Sequence, residues 1–411
     1  MKNFGFSSLI FFISKACVLI APIFAASVIS KDNYGLIEWA LSLAMIFASL
    51  FSFGSGNTIA FENLKNEGKK LVYFGQKYSM LLCVIFLIIT LVLTKMIPYA
   101  GLISGISSIF VIQYALGARL KSDGQGALAG LVDSSFYILL IILTLIISVN
   151  ENENIISGYI FSILGFLLLL AVFFKTNFND TLNNQDVKIY FSRGSKIFLA
   201  TTSSLIFFNL PKIFLGNHSL SLVAEFSLYF RWASIAIIIH RFFSLVYFRS
   251  LYTMDIKKFD KSIFFISLGV LLFGLIILFS IEYINNLQMN IAGIPLKNIN
   301  IQFMLISIIS LWCISGSLEG LIYREKKPLK HFYATMVGSF FFITTIIISQ
   351  NSQISLVESA ILGWLLGFIF TIFFQLASLK KEKNIGNNLR LINLFCWGIC
   401  LINFIILSLI L

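Results

Sequence analysis

The sequence predicts an all-α polytopic membrane protein, built as two six-helix lobes with one further span at the C-terminus. Three observations predict it: an apolar composition, apolar runs of bilayer length, and Lys and Arg gathered in the short loops between them. Of 411 residues, 58% are hydrophobic and 12% are charged, and the mean hydropathy is +0.92. A soluble domain carries about 25% charged residues. This much apolar surface excludes a soluble enzyme, a nucleic-acid-binding domain and a disordered chain. Lipid admits only helices or closed barrels, because every backbone polar group must be satisfied internally. A barrel would show alternating segments of about 10 residues, and the sequence shows none.

A spanning helix needs ~20 mostly apolar residues. In order, the candidates are 7–29, 34–60, 71–94, 101–118, 127–149, 155–174, 196–216, 222–248, 262–281, 301–322, 331–349, 355–378 and 391–411. The first run follows Lys2 and ends near Ala25-Ala26-Ser27, like a signal peptide. Lys15 interrupts it and a second span follows at once, so it reads as an uncleaved first span. The five cysteines all lie in apolar runs without metal-type spacing, and read as packing residues.

With the N-terminus inside, 22 of the 30 Lys and Arg fall in inner segments, including Lys65, Lys69, Lys70, Arg119, Lys121, Arg324, Lys326 and Lys327. Only Lys31, Lys95 and Lys297 fall outside. Positive charge is retained on the cytoplasmic side, so the bias sets the orientation and supports the alternation of spans. The same loop placement makes the net charge of +12 a topology signal and argues against a nucleic-acid partner.

The two halves look related. Pro22 sits late in span 1 and Pro211 late in span 7; each should kink its helix. After each proline comes a short outer loop and a polar-aromatic entry to the next span, from Asn33 and from Leu222. The stretch from Asp133 similarly resembles that from Val337. The expected organisation is an N-terminal lobe over 1–178, a C-terminal lobe over 179–380, and an additional span within 381–411. Parallel repeats of this kind are one transporter plan.

Ionisable groups inside spans are expensive and commonly functional or paired. Lys15 lies ~12 Å into span 1, at about 1.5 Å per residue. Arg231, His240 and Arg241 lie within span 8, and Lys212 follows Pro211. On a continuous helix Arg231 and Arg241 would stand ~80° apart. Deep cations suit an anionic substrate, since guanidinium groups clamp phosphates; Lys15 and Arg241 could instead snorkel to the inner interface. Asp133 either pairs with a cation, carries a coupling H+ or Na+, or sits at the interface. Glu38, Glu225, Glu319 and Glu358 lie near span ends, where interfacial solvation is the default. Gly54-Ser55-Gly56-Asn57 allows close helix contact. No Walker A, HExxH, GxSxG or acidic DxD pair is present, so neither an enzyme nor an ATP-driven pump is expected, and no cofactor or metal.

The segment from Ser30 to Ala60, SKDNYGLIEWALSLAMIFASLFSFGSGNTIA, resembles the opening of Wzx-type polysaccharide flippases, with a YG-containing entry and a Gly-rich exit. The segment from Phe207 to Ala236, FFNLPKIFLGNHSLSLVAEFSLYFRWASIA, is similar to that family's middle segment. It departs from the family pattern at Asn209, where an acid is usual, at Ala224-Glu225 and at Phe226. The resemblance implies the MATE/MOP-like fold, two six-helix lobes about a V-shaped central cavity. It implies a flippase moving undecaprenyl-diphosphate-linked oligosaccharides to the outer leaflet by alternating access, for O-antigen or capsule biosynthesis. It further implies a bacterial plasma (inner) membrane location, a cationic lumen to which Lys15, Arg231 and Arg241 would belong, and a polysaccharide polymerase and chain-length proteins as partners. Asn57, Gln113 and Asn209 are candidate linings for the sugar. The alternatives are a MATE-type drug or cation antiporter, which would favour deep acids, and a membrane polymerase or ligase, which would carry a large outer loop.

Overall fold

A computed structural model describes residues 4–64, 69–147, 153–173, 184–246, 250, 254–286, 299–350, 354–380 and 388–410. Among them are fifteen helices and no strand. They are α1 (Phe4–Val28), α2 (Lys31–Phe51), α3 (Ser55–Leu64), α4 (Lys69–Met96), α5 (Pro98–Ser122), α6 (Gly126–Ile147), α7 (Glu153–Phe173) and α8 (Asn184–Gly216). There follow α9 (Leu220–Ser234), α10 (Ile237–Val246), α11 (Ile256–Asn286), α12 (Ile299–Arg324), α13 (Pro328–Ser349), α14 (Leu356–Lys380) and α15 (Arg390–Ile410). Among the described residues ten helices are long and apolar enough to cross a membrane, and α9 with the start of α10, bent by 65°, passes the same test as a pair. Tyr159–Phe173 and Arg390–Ile405 are shorter apolar helices. The protein is an all-helical, multi-pass membrane protein.

The chain divides into two compact units, residues 1–209 and 210–411, and the division falls within α8. The expected lobe boundary at 178–179 and the start of the last segment at 381 lie outside the described residues. In the first unit α5 is the central helix, packed by α2, α3, α4, α6 and α7. Its sequence explains why. Gly101, Ser104, Gly105, Ser107, Ser108, Ala115, Gly117 and Ala118 let neighbouring backbones approach. Its hydroxyls stay satisfied without water: Ser104 Oγ donates to Phe86 O on α4 at 2.8 Å and Ser108 Oγ to Gly105 O at 2.7 Å. In the second unit α12 is central, with α9, α11, α13, α14 and α15 around it. Outward faces carry exposed Leu9, Phe12, Leu91, Phe340, Ile348, Leu394 and Phe404, a coat that suits lipid and would be untenable in water.

Two predicted spans are broken. The span expected over 34–60 ends as α2 at Phe51 and resumes as α3, with Phe53 at φ 53° and Gly54 at φ 69°. Phe53 stacks on Phe198 of α8 at 4.6 Å. A Cβ on Gly54 would stand 2.9 Å from Phe198 Cα. So the turn needs a glycine twice, for its backbone angle and for its neighbour. The span expected over 222–248 breaks after Ser234. Ser234 Oγ donates to Arg231 O at 2.8 Å, the carbonyl that the Ile235 amide would take in an α-helix. Ile235 N turns instead to Trp232 O, and Ala236 N to Ala233 O, each 3.2 Å. Serine back-bonding of this kind bends helices. No Gly or Pro marks the place, so the continuous-helix estimate of ~80° between Arg231 and Arg241 does not apply.

Helix α8 starts at Asn184, twelve residues before the expected 196, so Lys188 lies on a helix and not in an inner loop. Its 33 residues extend about 50 Å, well beyond a hydrocarbon core of about 30 Å. Tyr190 anchors the overhang, packing edge-on against Phe74 of α4 at 4.9 Å. Pro22 and Pro211 lie inside α1 and α8, and neither interrupts its helix. The last helix is docked by Asp260 of α11, whose carboxylate accepts from Leu391 N and Ile392 N at 3.1 Å each. A carboxylate on the first-turn amides satisfies otherwise orphaned donors and complements the helix dipole.

Candidate functional site

In the second unit, α8, α9 and α10 set the expected cations against an aromatic cluster. Phe230 stacks near Trp312 of α12 at 6.3 Å and lies 5.6 Å from Trp364 of α14. The ammonium of Lys212 stands 6.0 Å over the Phe230 ring, and the guanidinium of Arg241 stands 5.5 Å over Trp312. Arg231, the next residue after Phe230, is 6% exposed and Lys212 8%. Ring faces attract cations by their quadrupole, by about 0.5–2 kcal/mol depending on desolvation. Lys212 and Arg241 thus meet one stacked Phe–Trp pair, from two different helices. The sequence showed the cations but not the rings beneath them, because packing between α9, α12 and α14 brings Trp312 and Trp364 to Phe230.

His240 points elsewhere. Its Nε2 lies 3.4 Å from Ser317 Oγ, and its buried Nδ1 has no hydrogen-bond partner among the described residues. It lines a cavity of about 130 Å³ with Ser244, Ser317, Arg324 and the apolar Phe243, Phe259 and Ile263. Arg324 is tied across α11's start by a 2.7 Å bond from Nη1 to Met254 O.

In the first unit, Lys15 is 8% exposed and sits 5.7 Å over Phe11, one turn back on α1. Asp133 of α6 pairs with Lys121 of α5 at 3.5 Å. Both are about one quarter exposed, 29% and 28%. Glu38 corrects an expectation. It does not sit in an interfacial solvated position: it is 1% exposed, and its Oε1 accepts from Tyr34 Oη at 3.1 Å. The sequence hid this because burial depends on what packs over α2, not on distance from a span end.

The three expected sugar linings have their amide donors engaged within the protein. Asn57 Nδ2 donates to Thr201 Oγ1 at 2.8 Å. Gln113 Nε2 donates to Val132 O and Ser135 Oγ, both 2.9 Å. Asn209 Nδ2 donates to Leu205 O of its own helix at 2.8 Å. No group of His, Cys, Asp and Glu able to hold a metal occurs among the described residues.

No family model matches the sequence, and no curated protein matches it either. Solved structures do. The fold is similar to that of the MATE multidrug transporter DinF-BH, solved as a complex, with TM-score 0.64, 13% identity, and 94% of this chain and 96% of that one covered. It is similar to a MATE structure in complex with MaL6, with TM-score 0.61, 13% identity, and 95% and 94% covered. It is also similar to an outward-facing multidrug resistance MATE transporter of the MOP superfamily, with TM-score 0.59, 15% identity, and 90% and 92% covered. The class is therefore a membrane protein with the fold of the MATE transporters, over nearly the whole chain.

Proposed function

We propose that this protein is a flippase that carries polyprenyl-diphosphate-linked oligosaccharides from the cytoplasmic to the outer leaflet. A transporter of the MOP type is the reading the fold supports. One observation favours an anionic substrate: Lys212 and Arg241 lie on the ring faces of Phe230 and Trp312, with Arg231 buried beside Phe230 in sequence. A bidentate guanidinium–phosphate pair is stronger than a contact with a ring face. A diphosphate can therefore draw Arg241 off Trp312 and release it again as the protein changes state. Lys15 supplies a further buried cation in the first unit. The orientation in this proposal has basic ends such as Arg324–Lys327 in the cytoplasm, in a bacterial plasma membrane. A polymerase and chain-length proteins would then receive the product.

The test is the leaflet in which lipid-linked glycans accumulate in a deletion strain, read in sealed vesicles of known orientation. Accumulation on the cytoplasmic face, reversed by restoring the protein, is the expected result. Normal outer-leaflet delivery overturns the proposal. A second reading, a MATE-type cation antiporter, is favoured by the fold and by the buried Glu38, an acid of the kind that binds organic cations. Drug efflux without any change in lipid-linked glycans would select it.

A further inference from the structure

Three side chains from three helices meet in the second unit: Glu319 of α12, His331 of α13 and Gln375 of α14. His331 is 2% exposed and Gln375 is fully buried. Gln375 Nε2 lies 3.2 Å from Ser315 O and 2.8 Å from His331 Nδ1. A backbone carbonyl can only accept, so the amide NH2 faces Ser315. The same NH2 then faces Nδ1, which must also accept. The imidazole proton is therefore on Nε2, directed at Glu319 Oε2 3.5 Å away. Gln375 Oε1 is left buried without a hydrogen-bond partner among the described residues. Such an atom is costly in a membrane interior.

A second proton on His331 changes this arrangement. It puts an N–H on Nδ1 against an NH2, two donors facing each other. Turning the amide by half a rotation resolves the clash: Oε1 accepts from Nδ1–H and gains the partner it lacks. Ser315 O then loses its donor. We propose that Glu319, His331 and Gln375 form a proton-binding site whose occupation turns the Gln375 amide and breaks the α12–α14 bond to Ser315. The proton comes from water through Glu319, whose side chain is 21% exposed, and the resulting imidazolium is held by that carboxylate. Other charged and titratable groups stand nearby. Tyr323 of α12 stands edge-on to the ring at 6.0 Å. Lys330 donates to Ser378 O of α14 at 2.8 Å, and Arg324 pairs with Glu325 at 3.9 Å. The site itself does not depend on the flippase reading; its use as the coupling site rests on that reading.

The experiment uses the full-length protein, labelled with nitrogen-15 histidine, in lipid nanodiscs. The His331 signal is identified by its loss in H331Q. At neutral pH it should show the Nε2–H tautomer, and it should convert to imidazolium on acidification. An acid-minus-neutral infrared difference spectrum should contain a side-chain amide carbonyl band that disappears in Q375M, while the histidine still titrates there. An Nδ1–H tautomer, absence of titration, or an unchanged band in Q375M each overturns the proposal. In proteoliposomes carrying lipid-linked oligosaccharide, a pH gradient should stimulate wild-type movement about tenfold or more, a difference of ~1.4 kcal/mol, and should not stimulate H331Q. Equal stimulation of both removes the coupling role. Failure of any lipid-linked substrate to move, with the spectroscopic titration intact, would sink the flippase and leave the proton site standing.

Discussion

Arg231 is the residue on which the substrate proposal turns, and the structure states why its loss is readable. It is nearly buried on α9, one position from the ring that meets Lys212. Arg231→Ala is expected to abolish flipping, at least about 100-fold, while the protein still inserts and elutes as the wild type does. Such a fall is roughly the 2–3 kcal/mol attributed to a charge-assisted pair. Export at the wild-type rate from a well-expressed variant would refute the assignment. Gly54 makes the opposite kind of prediction. A side chain there meets both a left-handed backbone and Phe198, so Gly54→Ala should lower stability by about 1–3 kcal/mol, seen as a reduced Tm in detergent. Lys121 and Asp133 are a partly exposed pair. Asp133→Asn should therefore alter stability by less than about 1 kcal/mol, and a larger loss in a thermal melt would show a deeper role.

At the scale of elements, the breaks in the second span of each half carry the consequences. The break after Ser234 is made by a hydroxyl competing for Arg231 O. Ser234→Ala removes the competitor and should straighten the α9–α10 junction, narrowing the 65° bend. Spin-label distances between positions on α9 and α10 would lengthen; unchanged distances would show that packing, not the serine, sets the bend. The C-terminal helix has a comparable local cause. Asp260 caps it from α11, so Asp260→Ala should cost about 1–2 kcal/mol of docking. Limited proteolysis near residue 388 should then quicken, and equal cleavage of the two proteins would argue against the cap.

At the scale of the whole molecule, the two units share an internal plan. The fourth span of each, α5 and α12, is the most enclosed, with 83% and 78% of its apolar stretch buried. Orientation is the property still to be measured at this scale. Single cysteines at positions 31 and 326 should label from opposite sides of the membrane, the second from the cytoplasm, because Lys and Arg resist translocation. Labelling of both from one side would remove the topology on which leaflet direction depends.

Much of this architecture was legible beforehand, since lipid is a severe solvent. It demands helices of a set length, and a run of twenty apolar residues has no other stable form there. Within the described residues all thirteen predicted segments fall on helices, and the length and composition alone pointed to the class of fold. The buried cations Lys15, Lys212 and Arg231 were readable for the same reason, as charges inside apolar runs. What the sequence could not disclose depends on contacts between residues distant along the chain. Glu38 looked interfacial until its neighbours covered it. The amide donors of Asn57 and Gln113 are engaged with other helices, which only the packing could disclose. His331, Glu319 and Gln375 lie on three different helices, and only the packing of α12, α13 and α14 brings them together. Composition dictates the solvent and hence the helices. Contacts between distant segments select which polar groups become partners, because in a membrane interior a polar side chain must find its partner wherever the fold places one.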